Sequence, residues 1–159
     1  MGLRLGGGME IIPLRFLDLR SYNVGYGYDL RTDIVWGNFS ATTVEMEYRS
    51  WSRENPTYNS HLEIRRFALL QRFYPFFHST LKVAPYLGLG VTAGYPDRFS
   101  MNIKDADHAG IALVTGCEVP LAVKRFWVDP FVRWDFNALY AEYWYSSFSL
   151  GAHFIWKLR

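Results

Sequence analysis

Alternation constrains this chain more than any other feature of it. In 81–92 (LKVAPYLGLGVT) every odd position is apolar, and every even position except Tyr86 is small or polar. In 128–137 (VDPFVRWDFN) Val128, Pro130, Val132, Trp134 and Phe136 oppose Asp129, Arg133, Asp135 and Asn137. Near the C-terminus, Phe148, Leu150, Ala152, Phe154, Trp156 and Leu158 oppose Ser149, Gly151, His153 and Lys157. Side chains of a strand point to opposite faces in turn, so a period of two sustained this long predicts strands with two unlike faces. No run approaches the roughly 18 consecutive apolar residues of a membrane-crossing helix, and nothing reads as a long amphipathic one.

The same reading along the chain predicts about eight strands, near 2–11, 22–31, 41–52, 59–73, 81–94, 108–119, 127–138 and 147–158. A strand with its connection then takes about 20 residues, which suits an up-and-down antiparallel meander. Connections after the fourth and sixth strands read as short, and those after the fifth and seventh (95–107 and 139–146) as longer. Two regions resist the pattern. Segment 12–20 is too apolar for an ordinary loop, and Arg65-Arg66 breaks the parity of the fourth strand, as a β-bulge would.

Alternation alone does not say which face is inside. Three observations place the polar face there. That face is rich in glycine (Gly6, Gly8, Gly88, Gly90, Gly110 and Gly116 among others), which a narrow barrel needs to make room for large neighbours. Its charges balance: Arg4, Arg31, Arg49, Arg65, Arg133 and Lys157 stand against Glu10, Asp29, Glu45, Glu47, Glu63, Glu118, Asp129 and Asp135, with His153 among them. Charges removed from water must be paired, and this is the inventory of an ionic network packed in a lumen. Finally, of the 18 % aromatic residues, many fall at strand ends. Trp36, Trp127 and Trp156 at one rim and Trp51, Tyr95, Tyr140 and Trp144 at the other would form two interfacial girdles. A soluble, ligand-carrying barrel would not need them. Because backbone groups in hydrocarbon must all be paired, the first strand must close on the last.

The expectation is therefore an all-β chain, one eight-stranded antiparallel up-and-down transmembrane β-barrel spanning 1–159 as a single domain of the bacterial outer membrane. Composition excludes several alternatives. One cysteine, Cys117, gives neither a disulfide framework nor a Cys-cluster metal site. A net charge of +2 with both signs dispersed argues against nucleic acid. The first ten residues lack a charged segment followed by an apolar one, so a mature or trimmed start is expected.

Two stretches carry a resemblance. LKVAPYLGLGVTAG (81–94) is similar to the Pro-Tyr-x-Gly-x-Gly strand of small outer-membrane barrels of the OmpX/OmpW/OmpA-domain type. GCEVPLAVKRFWVDPFVRWDF (116–136) resembles their next hairpin, with a short turn before an x-Pro-x-x-Arg-aromatic strand. The resemblance implies an architecture of Gram-negative envelopes, shared by adhesins, small channels, anchors and lipid-modifying enzymes. The ending Trp156-Lys157-Leu158-Arg159 departs from the terminal aromatic usual in such barrels.

Catalytic candidates are weak. His78 and Ser79 echo the His and Ser pair of barrel-embedded lipid A deacylases, but neighbours on a strand point to opposite faces, which is poor geometry for a base and its nucleophile. A polar turn explains them better. His153 fits the ionic network, and Cys117 reads as a small filler on the apolar face. Lys104 to His108 offers carboxylates and an imidazole without calcium-loop spacing, so no metal site and no cofactor are expected. Tyr140, Tyr143, Trp144 and Tyr145 could recognise a protein or a sugar, or belong to the girdle. The expected role is non-enzymatic: a plugged barrel that is a structural, anchoring or binding component, in contact with outer-membrane lipids and with envelope proteins through 95–107 and 139–146. The alternatives are a narrow OmpW-like channel for small or apolar molecules and, behind it, a lipid-modifying enzyme.

Overall fold

The structure, a computed structural model, describes residues 1–16, 24–53, 60–75, 83–98, 108–123, 125–139 and 143–158. They form eight strands: β1 (Gly2–Phe16), β2 (Gly25–Trp36), β3 (Ser40–Arg53), β4 (Ser60–Phe73), β5 (Ala84–Arg98), β6 (His108–Pro120), β7 (Phe126–Leu139) and β8 (Tyr143–Lys157). Each pairs antiparallel with its neighbours in sequence, and β1 pairs with β8 to close the barrel. The shortest strand has 12 residues and the longest 15, against the 9–11 or so that cross a bilayer when tilted.

The wall follows the period of two. On β1, Leu3, Leu5, Met9 and Ile11 are exposed, whereas Glu10 and Ile12 are buried. On β4, Phe67, Leu69 and Phe73 face out, whereas Ile64, Arg66, Ala68, Leu70 and Arg72 face in. On β5, Leu87, Leu89 and Val91 face out, whereas Tyr86 and Thr92 face in. Exposed apolar residues on every strand thus make a continuous apolar exterior, far larger than the patches a water-soluble monomer shows. The buried apolar cluster is small and lies toward one side, around Leu70, Tyr74, Tyr86, Val114 and Phe131.

Three connections lie at the end that bears both termini. Residues 37–39 join β2 to β3, with Gly37 at φ 62°, a left-handed conformation that costs glycine no Cβ clash. Tyr74 N donates to Phe39 O at 2.8 Å, tying the turn after β4 to this one. The turn between β6 and β7 is closed by Leu121 N to Phe126 O at 2.9 Å.

Several strands run further than their alternation suggests. Residues 12–16 continue β1, with Ile12 filling the lumen and a register shift against β8 between Ile11 and Leu14; 17–20 lie outside the described residues. Strand β2 reaches Trp36, which brings Asp33 inside. Strand β5 reaches Arg98 and β8 begins at Tyr143, so 95–98 and 143–146 are strand and not loop; 99–107 and 140–142 lie outside the described residues. No bulge occurs at Arg65-Arg66. Strand β4 pairs with β3 without a break from Ser60 to Phe73, and its irregularity against β5 lies at Glu63 and Ile64.

Candidate functional site: the ionic lumen

The inward positions of all eight strands meet in one polar network, and its contacts cross the full bore. Strands β3 and β7 stand opposite each other in an eight-stranded ring. Arg133 of β7 donates from Nη1 to Glu45 (2.7 Å) and Glu47 (2.6 Å) of β3. Its Nε holds Asp135 Oδ1 at 2.9 Å. Arg49 of β3 returns the bond, donating to Asp135 Oδ2 at 2.8 Å and reaching sideways to Glu10 on β1 at 3.0 Å. Arg66 of β4 bridges Glu47 (2.6 Å) and Asp135 (3.0 Å). Three guanidinium groups therefore converge on Asp135.

A second node lies nearer the terminal end. Asp129 Oδ2 accepts from Arg31 at 2.5 Å, from Arg72 at 3.1 Å and from the Tyr86 hydroxyl at 3.0 Å. Arg31 also donates to Asp33 at 2.8 Å, which Thr43 supports from the other side at 2.8 Å. His153 stands between Asp29 (3.2 Å from Nε2) and Asp129 (3.3 Å from Nδ1), with the Phe131 ring stacked on it at 4.3 Å. Glu45 couples the two nodes, because its two oxygens accept from Arg72 and from Arg133. At the terminal mouth Glu118 accepts from Arg4 (2.5 Å) and from the Tyr74 hydroxyl (2.7 Å). Charges this deeply buried are tolerable only when paired and hydrogen-bonded. Arg31, Arg49, Arg66 and Arg72 are all at most 2 % exposed.

Glycine makes the room. A Cβ at Gly27 would sit 2.6 Å from a Glu10 oxygen, and one at Gly116 would sit 2.6 Å from the Tyr86 hydroxyl. Gly88 is backed by Val114 and Arg72, Gly90 by Leu70, and Gly110 by Asn137. The glycines of β5 and β6 therefore border filled space, not a passage.

Of the residues expected in the lumen, Arg4, Glu10, Asp29, Arg31, Glu45, Glu47, Arg49, Glu118, Asp129, Arg133, Asp135, His153 and Lys157 lie on the inward face. Glu63 and Arg65 do not. They have the outward parity of Phe67 and Leu69, and the arginine inside is Arg66. Sequence reasoning also passed over Asp33 and Arg72. Asp33 stands two residues beyond Arg31, so continuing that strand would have found it; Arg72 lies within the expected 59–73 strand and shares the parity of Arg66, so assigning Arg65 to the inward face hid it.

The girdle expectation needs two corrections. Trp51 is 3 % exposed and inside the lumen, packed against Gly25, where a Cβ would collide with the indole. Trp127 also points inward, under the Lys157 ammonium at 3.4 Å. Each is two residues from an inward charge, Arg49 and Asp129 respectively, and parity outweighs position at a rim. Trp36 (48 %) and Trp156 (43 %) are exposed on the outer wall near the terminal end, with Phe39, Phe73 and Phe126. The side chains of Tyr95, Tyr140, Tyr143, Trp144 and Tyr145 lie outside the described residues, as do His78, Ser79, 104–107 and the His108 side chain. Cys117 is partly exposed and lines a shallow outer groove with Pro130 and Leu150.

No family model matches the chain, and no curated protein does. Solved structures do. Neisserial surface protein A (NspA) aligns with a TM-score of 0.68 at 14 % identity, over 99 % of this chain and 98 % of that one. The outer membrane protein OprG of Pseudomonas aeruginosa aligns at 0.62 and 13 %, over 99 % and 96 %. Ail, the attachment invasion locus protein of Yersinia pestis, aligns at 0.55 and 13 %, over 98 % and 97 %. At such identities the likeness is one of fold, and it is complete from end to end: this chain has the fold of the small eight-stranded outer-membrane barrels.

Proposed function

We propose that the protein is an integral outer-membrane barrel whose lumen is plugged by its own side chains, and that it serves the envelope as a non-enzymatic structural, anchoring or binding component. The observation that carries this reading is the set of ion pairs across the bore, from β3 to β7 and from β2 and β4 to β7, inside a predominantly apolar wall. Hydrocarbon outside and paired charge inside is the arrangement of a membrane barrel of this size, in which side chains fill the interior. The terminal end is then the periplasmic one and the opposite end faces the cell exterior. Outer-membrane lipids cover the apolar belt, and other envelope proteins are met through 95–107 and 139–146. Ail, solved with the heparin analogue sucrose octasulfate, is a barrel of this fold that binds a ligand, which favours a binding role over mere wall-building.

A narrow channel is the less supported role, because the glycines that would open it are backed by side chains. Planar-bilayer recording of the purified protein separates the two. The plugged reading expects no steady conductance, and a large, stable open level from pure protein would overturn it.

A further inference from the structure

The terminal mouth of the barrel holds an unbalanced pair of cations. Arg4 of β1 and Lys157 of β8 are direct cross-strand partners on the inward face, and like charges in that relation destabilise a sheet. The carboxylate beside them is already committed: Glu118 accepts from Arg4 at 2.5 Å and Tyr74 at 2.7 Å, and stands 3.8 Å from Arg31. Among the described residues no carboxylate lies within ion-pair distance of Lys157, whose ammonium rests 3.4 Å over the Trp127 ring. The Trp127 indole N–H is buried without an acceptor. These groups line an open recess of about 190 Å³, together with Val35, Asn38 and Ala84. Unspent donors and one surplus positive charge, set over an aromatic floor, call for a compact monoanion.

We propose that this recess binds a carboxylate group, with Lys157 as its charge partner, Arg4 as a further donor, the Trp127 ring beneath Lys157 as the floor, and Ala84 and Val35 against the carbon chain. The carboxylate belongs either to a small organic acid or to the end of a peptide. Describing the mouth as periplasmic rests on the function proposed above, whereas the site itself rests on its geometry.

The test is titration of the refolded protein in detergent micelles, followed by the NMR signal of the Trp127 indole N–H, which is assigned by its loss in Trp127→Phe. Propionate should move that signal saturably, and isosteric propionamide at equal concentration should leave it in place. Lys157→Met, which keeps the stem and removes the charge, should weaken propionate at least about tenfold. Acetyl-glycyl-glycine and its C-terminal amide then distinguish the sources, since tighter binding of the acid than of propionate assigns the site to a peptide end, and weaker binding assigns it to a solute. Equal shifts with propionamide, no shift with propionate, or unchanged affinity in Lys157→Met would each overturn the proposal. The propionate and propionamide arms need no variant. Failure of the carboxylate arms would not bear on the planar-bilayer recording, so the site and the membrane assignment fail separately.

Discussion

Neighbouring arginines on β4 have opposite fates. Arg66 is buried between Glu47 and Asp135, and Arg65, one residue earlier, is exposed on the outer wall. Removing one partner of a buried ion pair leaves an uncompensated charge in a low-dielectric lumen, which costs about 3–5 kcal/mol. An exposed pair contributes about 1 kcal/mol or less. Arg66→Met is therefore expected to lower the unfolding free energy by about 3–5 kcal/mol, and Arg65→Met by no more than about 1 kcal/mol. Urea unfolding in lipid vesicles, followed by tryptophan emission, checks both; equal losses would mean that the inward face of β4 has been misassigned.

At the scale of the element, each strand carries a depth coordinate as well as a face. Leu69 pairs with Val44 and Val91 four residues into β4 from its terminal end, and Phe73 pairs with Ser40 at that end. A cation on the lipid face costs about 2–4 kcal/mol at the bilayer midplane and falls to about 0–1 kcal/mol near the interface. Leu69→Arg should thus destabilise the protein by about 2–4 kcal/mol and Phe73→Arg by about 1 kcal/mol or less, read in the same vesicles. In micelles, where depth is ill-defined, the contrast should shrink. This face is also what made the elements readable. Alternation in 81–92 and 128–137 fixes which residues of β5 and β7 point inward, because the polar side of each lies against charge and the apolar side against hydrocarbon. Strand ends were less legible, since Ile12 and Asp33 sit inside at positions where a loop residue of the same type would look no different. Arg65-Arg66 was illegible for another reason: two identical charges in succession carry no parity, and only the pairing of β4 with β3 decides between them. The two nodes at Asp129 and Asp135 were beyond sequence reading, because their partners come from strands distant along the chain, as Arg133 and Glu45 do at a separation of 88 residues.

For the whole molecule, closure has a consequence for the order of the chain. Strands β1 and β8 are joined by the same kind of ladder as every other neighbouring pair, and the Cα partners Arg4 and Lys157 bring the two chain ends to one mouth. The sequence is thus a linear copy of a cyclic object, and the place where it is cut is arbitrary to the folded wall. A short linker joining the present ends, with new ends opened at 121–125, should give a circular permutant that folds in detergent with the same β-sheet circular dichroism and the same resistance to unfolding in sodium dodecyl sulfate at room temperature, because exposed turns tolerate such cuts. A permutant opened within β7, between Arg133 and Asp135, should fail both measurements, since the cut would sever the strand that supplies both nodes of the network.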